Sequence, residues 1–198
     1  MAGRRLGVLG GTFDPPHIGH LAAAVEARSA LGLDRVLLVV ANDPWQKSAA
    51  KELTPAAVRL EMVRAACEGV EGVEVCDREI VRGGPSYSVE TLEWLTRQGP
   101  DDRLFLLVGA DAAAGLDTWH RHEDLAALAT IVVVDRAGSG PFEVPSAPDA
   151  VHLSVGRLDV SSSELRGRVS EGRPLQPYVP ASVIGIIDGY GLYGSSSR

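Results

Sequence analysis

Four short runs, residues 5–9, 36–40, 104–108 and 131–134, are apolar at almost every position instead of alternating. Runs of that kind suit parallel strands covered on both faces. Between the first two, Leu21, Ala24, Val25 and Leu31 recur at helical spacing, and Gly32 supplies a stop. Thr54-Pro55 reads as a helix start, a capping residue followed by proline at the first helical position. That helix is expected to run to about residue 67, with Gly69 ending it. Shorter helices are predicted over 88–97 and 123–129, then one more strand over 151–155, and closing helices over 162–170 and 181–188. Strand and helix in alternation predict an α/β fold: a doubly wound, Rossmann-like parallel sheet with helices on both faces.

Residues 137–150, rich in glycine and proline, read as a surface connection, since the chain beyond residue 150 is too short for a core of its own. The expectation is therefore one domain over 1–198, with 195–198 a low-complexity tail. Composition narrows the partners. Lys plus Arg is 19 against 26 for Asp plus Glu, a net charge of -7, and 45% of residues are hydrophobic. An acidic chain is a poor nonspecific binder of nucleic acid, which depends on neutralising phosphates. No apolar run reaches the ~18 residues of a membrane span. Two cysteines, Cys67 and Cys76, form neither a disulfide framework nor a zinc pattern, so a reducing cytoplasm is the expected setting. A homo-oligomer stays open.

The chemistry concentrates where the first strand ends, in Gly10-Gly11-Thr12-Phe13-Asp14-Pro15-Pro16-His17-Ile18-Gly19-His20. It contains neither a Walker loop nor a G-x-G-x-x-G fingerprint. A helix starting near Ile18 would place His17 and His20 three apart on one face, at an N-terminus whose free N–H groups favour phosphate. Val160-Ser161-Ser162-Ser163-Glu164-Leu165-Arg166 reads as a capped helix start, Ser161 with Glu164, and also as an anion cradle with an arginine one turn in. Only two of the 19 basic residues are lysines, Lys47 and Lys51, both in one short stretch.

The eleven residues from Gly10 to His20 resemble the signature of the HxGH nucleotidyltransferase superfamily, in the Thr-Phe-Asp-Pro form of bacterial nicotinate mononucleotide adenylyltransferases. Val160–Arg166 is similar to the superfamily's second motif, with Ser163 for Thr, and Asn42–Lys47 to its loop after the second strand. The segment from Gly83 to Leu92 resembles Pro-Ser-Tyr-Thr-x-x-Thr, with Ser88 for the middle Thr. Gly109-Ala110-Asp111 with Thr118-Trp119, then Asp135-Arg136-Ala137-Gly138 and Gly191-Leu192-Tyr193, extend the likeness over nearly the whole chain. Ala137 stands where the family has Pro.

The resemblance implies transfer of AMP from ATP to nicotinate mononucleotide, with release of pyrophosphate and Mg²⁺ shared between the β and γ phosphates rather than held by a protein metal site. It implies catalytic roles for His17, His20, Lys47 and Arg166. Gly10, Gly11, Thr12, Phe13, Gly109, Asp111, Arg136, Ser162 and Ser163 would bind ATP, and Tyr87, Ser88 and Trp119 the mononucleotide, with Trp119 stacking on the ring. His120 and His122, outside any motif, read as surface residues. Three alternatives stand beside it: transfer to nicotinamide mononucleotide or phosphopantetheine, a nucleotide-binding protein without turnover, and a metal-dependent hydrolase built on His17, His20 and Asp14.

Overall fold

A computed structural model of the protein describes residues 3–44, 53–136, 144–156 and 158–194, and for Arg136 the backbone alone. Six strands form one sheet: β1 (Arg5–Gly11), β2 (Arg35–Val40), β3 (Val73–Cys76), β4 (Arg103–Gly109), β5 (Thr130–Arg136) and β6 (Val151–Val155). Their order is β3-β2-β1-β4-β5-β6 and every pairing is parallel. This doubly wound order reverses between β1 and β4, and ligands of such sheets bind in the crevice at that switch.

Successive residues of one strand serve opposite faces. On one face Leu104, Leu106 and Val108 of β4 pack with Val89, Leu92 and Leu95 of α4 (Ser88–Gln98) and Leu125 of α6 (His122–Leu128). On the other, Phe105 and Leu107 join Ala24 and Ala27 of α1 (Ile18–Leu31) and Leu60 and Val63 of α2 (Ala56–Cys67). The central strands are apolar throughout because neither face meets water. A third cluster sits outside α2, where Met62 and Ala66 receive Leu165 of α7 (Ser162–Ser170) and Val183 and Ile187 of α8 (Ala181–Tyr190).

The predicted elements are present, with four differences. β3 is only four residues long, and its half-buried pattern has meaning only once β2 pairs with it. The short helices α3 (Arg78–Arg82) and α5 (Ala110–Ala113) have too few turns to show a period. Thr54 does not cap α2: Pro55 is the N-cap, and the Thr54 hydroxyl faces that of Tyr193 at 3.5 Å. Within the expected surface connection, Val144 and Ala147 are buried in the α4 face of the core, held by a turn in which the Ala147 N–H donates to the Val144 carbonyl. Glycine and proline nearby concealed two small apolar residues that the sheet face needed.

Candidate active site

β1 ends at Gly11, and Phe13 then turns the chain with φ 51°, a left-handed conformation that a bulky residue adopts only when its surroundings compel it. The compulsion is visible: the Phe13 ring is buried beneath Gly11, where a Cβ would lie 2.8 Å from it. α1 starts at Ile18 with His17 as its N-cap. The His17 N–H donates to Nδ1 of His20 at 3.2 Å, and the two imidazoles stack with centroids 3.8 Å apart. Phe13 meets His20 edge-on at 4.9 Å. Gly19 lets the rings settle, since a Cβ there would come within 3.0 Å of the His17 ring and 3.1 Å of Val160. No acidic residue occupies the first turn of α1, so the dipole at its N-terminus favours an anion, although the Ile18 N–H is engaged by the Tyr178 carbonyl at 2.9 Å.

The three serines at the start of α7 have separate tasks. Ser161 Oγ accepts from the Glu164 N–H at 3.2 Å, the N-cap. The Ser162 hydroxyl donates to the Pro15 carbonyl at 2.9 Å, tying α7 to the loop after β1. Ser163 Oγ accepts from Arg166 at 3.2 Å, leaving its own hydroxyl hydrogen to donate. Arg166 also donates to the Asp14 carbonyl at 2.8 Å. A second helix N-terminus, one hydroxyl and a positioned guanidinium thus converge on the loop that carries the histidines.

These groups open onto a cavity of about 550 Å³ at the switch between β1 and β4, within the usual size for small-molecule sites. A neighbouring cavity of about 280 Å³ lies between the start of α1 and the ends of β5 and β6, lined by apolar Val134, Val155, Leu158 and Val160. Leu9, Gly10, His20 and Gly109 border both. At Gly10 and Gly109 an added Cβ would meet nothing within 4 Å, and neither backbone is left-handed. These glycines satisfy no packing need; their missing side chains leave room for a ligand against the strand ends.

The far wall of the larger cavity is aromatic. Tyr87, the N-cap of α4, lies against the His120 ring at 4.2 Å, with Trp119 beside them. Ser88 opens α4 and lines the cavity. The wall is tied to β2, because the Asn42 N–H donates to Ser86 Oγ at 2.8 Å and the Ser86 N–H to the Asp43 carbonyl at 2.9 Å. Below it the buried Thr91 hydroxyl donates to Glu79 at 2.7 Å.

The structure therefore brings Gly10, Gly11, Thr12, Phe13, His20, Tyr87, Ser88, Gly109, Asp111, Trp119, Ser162, Ser163 and Arg166 to one cavity, with His17 on its neighbour. Lys47 lies outside the described residues, and for Arg136 only the strand position is described, at the end of β5. His120 is exposed, as expected of a surface residue, yet it also lines the cavity. Glu79 and Tyr193 were absent from the expected site. Glu79 lies on a helix too short to detect, and Tyr193 was marked only by the terminal Gly-Leu-Tyr. Its hydroxyl donates to Asp14 Oδ1 at 2.6 Å, while Asp14 Oδ2 accepts from the Thr54 N–H at 3.3 Å. Burial, and then the bond to Asp14, raises the Tyr193 pKa, so the phenol remains a donor. With its oxygens engaged in this way, Asp14 is poorly placed as a metal ligand. No group of three His, Cys, Asp or Glu suited to a metal occurs among the described residues.

A doubly wound sheet with paired helix N-termini and stacked histidines at its switch point defines a nucleotidyltransferase, and the cytidylyltransferase-like family model matches residues 8–168. A probable nicotinate-nucleotide adenylyltransferase of Roseiflexus sp. is 44% identical over 98% of this chain and 100% of its own. Another from Gemmatimonas aurantiaca is 43% identical over 98% of this chain and 94% of its own. The chain belongs to the family of nicotinate-nucleotide adenylyltransferases. Among solved structures, the Plasmodium falciparum nicotinic acid mononucleotide adenylyltransferase complexed with NaAD shares the fold, with TM-score 0.83, 17% identity, and coverage of 98% of this chain and 100% of that one. No helix among the described residues is long and apolar enough to cross a membrane.

Proposed function

We propose that the protein transfers AMP from ATP to nicotinate mononucleotide, giving nicotinate adenine dinucleotide and pyrophosphate for NAD biosynthesis. The observation that carries this reading is the pair of cavities meeting at Gly10, His20 and Gly109. One has apolar walls suited to a flat base; the other ends in Trp119, Tyr87 and the start of α4, suited to a pyridine ring with an anionic substituent. Two nucleotides seated there would bring their phosphates together beside His20.

The mononucleotide phosphate attacks the α-phosphorus of ATP in line, and the bond to pyrophosphate breaks. Such transfers depend on positioning and charge stabilisation more than on a protein nucleophile. His20 donates from Nε2 to the α-phosphate, where charge develops. His17, Arg166, Lys47, Ser163 and the start of α7 hold the remaining phosphate oxygens. The site offers donors rather than a carboxylate cluster, which fits Mg²⁺ entering with ATP. Bound there, Mg²⁺ would neutralise charge on the leaving pyrophosphate.

Pyrophosphate release from MgATP, measured separately with nicotinate mononucleotide, nicotinamide mononucleotide and phosphopantetheine, tests the reading. Turnover is expected with nicotinate mononucleotide at the highest kcat/KM. A preference for either of the others, or no turnover with any, overturns it.

A further inference from the structure

Arg59, in the first turn of α2, is the one basic side chain among the described residues with no exposure at all. A buried charge ordinarily demands a carboxylate in contact, yet no carboxylate lies within ion-pair distance of it among the described residues. Its guanidinium is instead spent on backbone. Nε donates to the Thr54 carbonyl at 2.8 Å, Nη1 to the Thr12 carbonyl at 2.8 Å and Nη2 to the Asn42 carbonyl at 3.0 Å. Burial lowers its pKa, and the field of Asp14 opposes that shift.

The three carbonyls come from two different connections: Thr12 from the loop after β1, and Asn42 and Thr54 from the two ends of the segment joining β2 to α2. The planar fork of arginine reaches all three at once, which an ammonium on a flexible stem would not do in the same geometry. The Thr12–Phe13 peptide is trans, so a carbonyl turned towards Arg59 sends the Phe13 N–H the opposite way. The same loop is held from its other end, where Asp14 receives Tyr193 and Thr54 and its carbonyl receives Arg166.

We propose that Arg59 is a positioning residue of the phosphate site: a buried cation that clasps three loop carbonyls, with Asp14, fixed by Tyr193, as its counter-charge across space. It touches no substrate. Its work is to hold the Thr12–Asp14 backbone where donors face the ATP phosphates, and to bias the potential beneath them towards anions.

The proposal rests on the adenylyl-transfer reading, so ATP affinity is measured by calorimetry beside turnover. Arg59→Lys keeps the charge and loses the fork. It is expected to fold, to bind ATP at least fivefold more weakly, and to lose at least tenfold in kcat at saturating substrates, counted per folded molecule. Nicotinate mononucleotide affinity should stay within twofold. A scaffold role alone would lower the melting temperature and leave ATP affinity and kcat of the folded fraction unchanged; ATP affinity and kcat both within twofold of wild type overturn the proposal. If Arg59→Lys does not fold, Tyr193→Phe decides, with a threefold or greater loss in kcat expected and a smaller change overturning it. A wild-type protein that binds ATP but prefers another acceptor fails the substrate reading, while the ATP affinity of Arg59→Lys still decides the clasp.

Discussion

The His17 N–H lies 3.2 Å from Nδ1 of His20, so that ring nitrogen serves as an acceptor within its own helix turn. A neutral His20 then carries its hydrogen on Nε2. The tautomer is set by a backbone group in the same motif, before any substrate arrives, and it leaves on Nε2 the hydrogen that the proposed mechanism directs at the α-phosphate. Removing one donor of this type costs roughly 3–4 kcal/mol of transition-state stabilisation, ~10²–10³-fold in rate. His20→Ala should lose that much kcat in a pyrophosphate-release assay while its far-ultraviolet circular dichroism is unchanged. A fully active variant would remove His20 from the chemistry.

The glycines of the site separate into two kinds. At Gly10 and Gly109 the space above Cα is open, so alanine there should fold normally and obstruct the ligand. About tenfold weaker ATP binding, equivalent to ~1.4 kcal/mol, is expected by calorimetry. Gly11→Ala differs: its Cβ would press on the Phe13 ring at 2.8 Å. That overpacking should cost about 1–3 kcal/mol of stability in urea melts.

Trp119 stands on the aromatic wall where the mononucleotide is proposed to bind, and stacking a base on an aromatic ring is worth about 1–3 kcal/mol. Trp119→Ala should raise the KM for nicotinate mononucleotide roughly tenfold and leave the KM for ATP near wild type. Trp119→Phe should recover much of the loss. Equal effects on both substrates would place Trp119 in packing alone.

Chelation provides a separate check. With EDTA in excess over Mg²⁺, turnover should fall to background and return on adding Mg²⁺, while circular dichroism stays constant. Turnover that persists without a divalent ion would exclude the proposed role for Mg²⁺.

Away from the site, Arg4 donates from its backbone and side chain to Asp102, joining the ends of β1 and β4. The Arg4 hydrogen bonds hold the Asp102 carboxyl below its usual range. A carboxylate with a depressed folded pKa adds stability above the unfolded value of about 3.9 and loses it as pH falls below that. The wild-type melting temperature should therefore drop more steeply than that of Asp102→Asn between about pH 4 and pH 2. Parallel curves would show that the pair contributes nothing, since Arg4 is 48% exposed and solvent weakens such pairs.

Much of the fold was legible because its strongest signals are local. Continuous apolar runs mark strands buried on both faces, and Gly32 ends α1 in the left-handed conformation its position requires. The motif from Gly10 to His20 was legible for the same reason: turn, helix start and imidazoles lie within one short stretch of chain. The elements that went unseen, β3, α3 and α5, are stabilised by neighbours rather than by their own periodicity.

The amino-acid sequence by itself determined the layer architecture, the place of the glycine-rich turn with its two histidines and the family to which the chain belongs. Tertiary structure alone decided which distant groups complete the site. Only the fold could place Arg59 under carbonyls of two separate connections, seat Tyr193 on Asp14 across 179 residues of chain, and bring His120 against Tyr87. Each is a contact between segments with no shared pattern, and its energy exists only after the sheet and its crossovers have set the distances. A buried arginine has no signature in sequence, because an arginine on a helix is ordinarily solvated until packing closes over it.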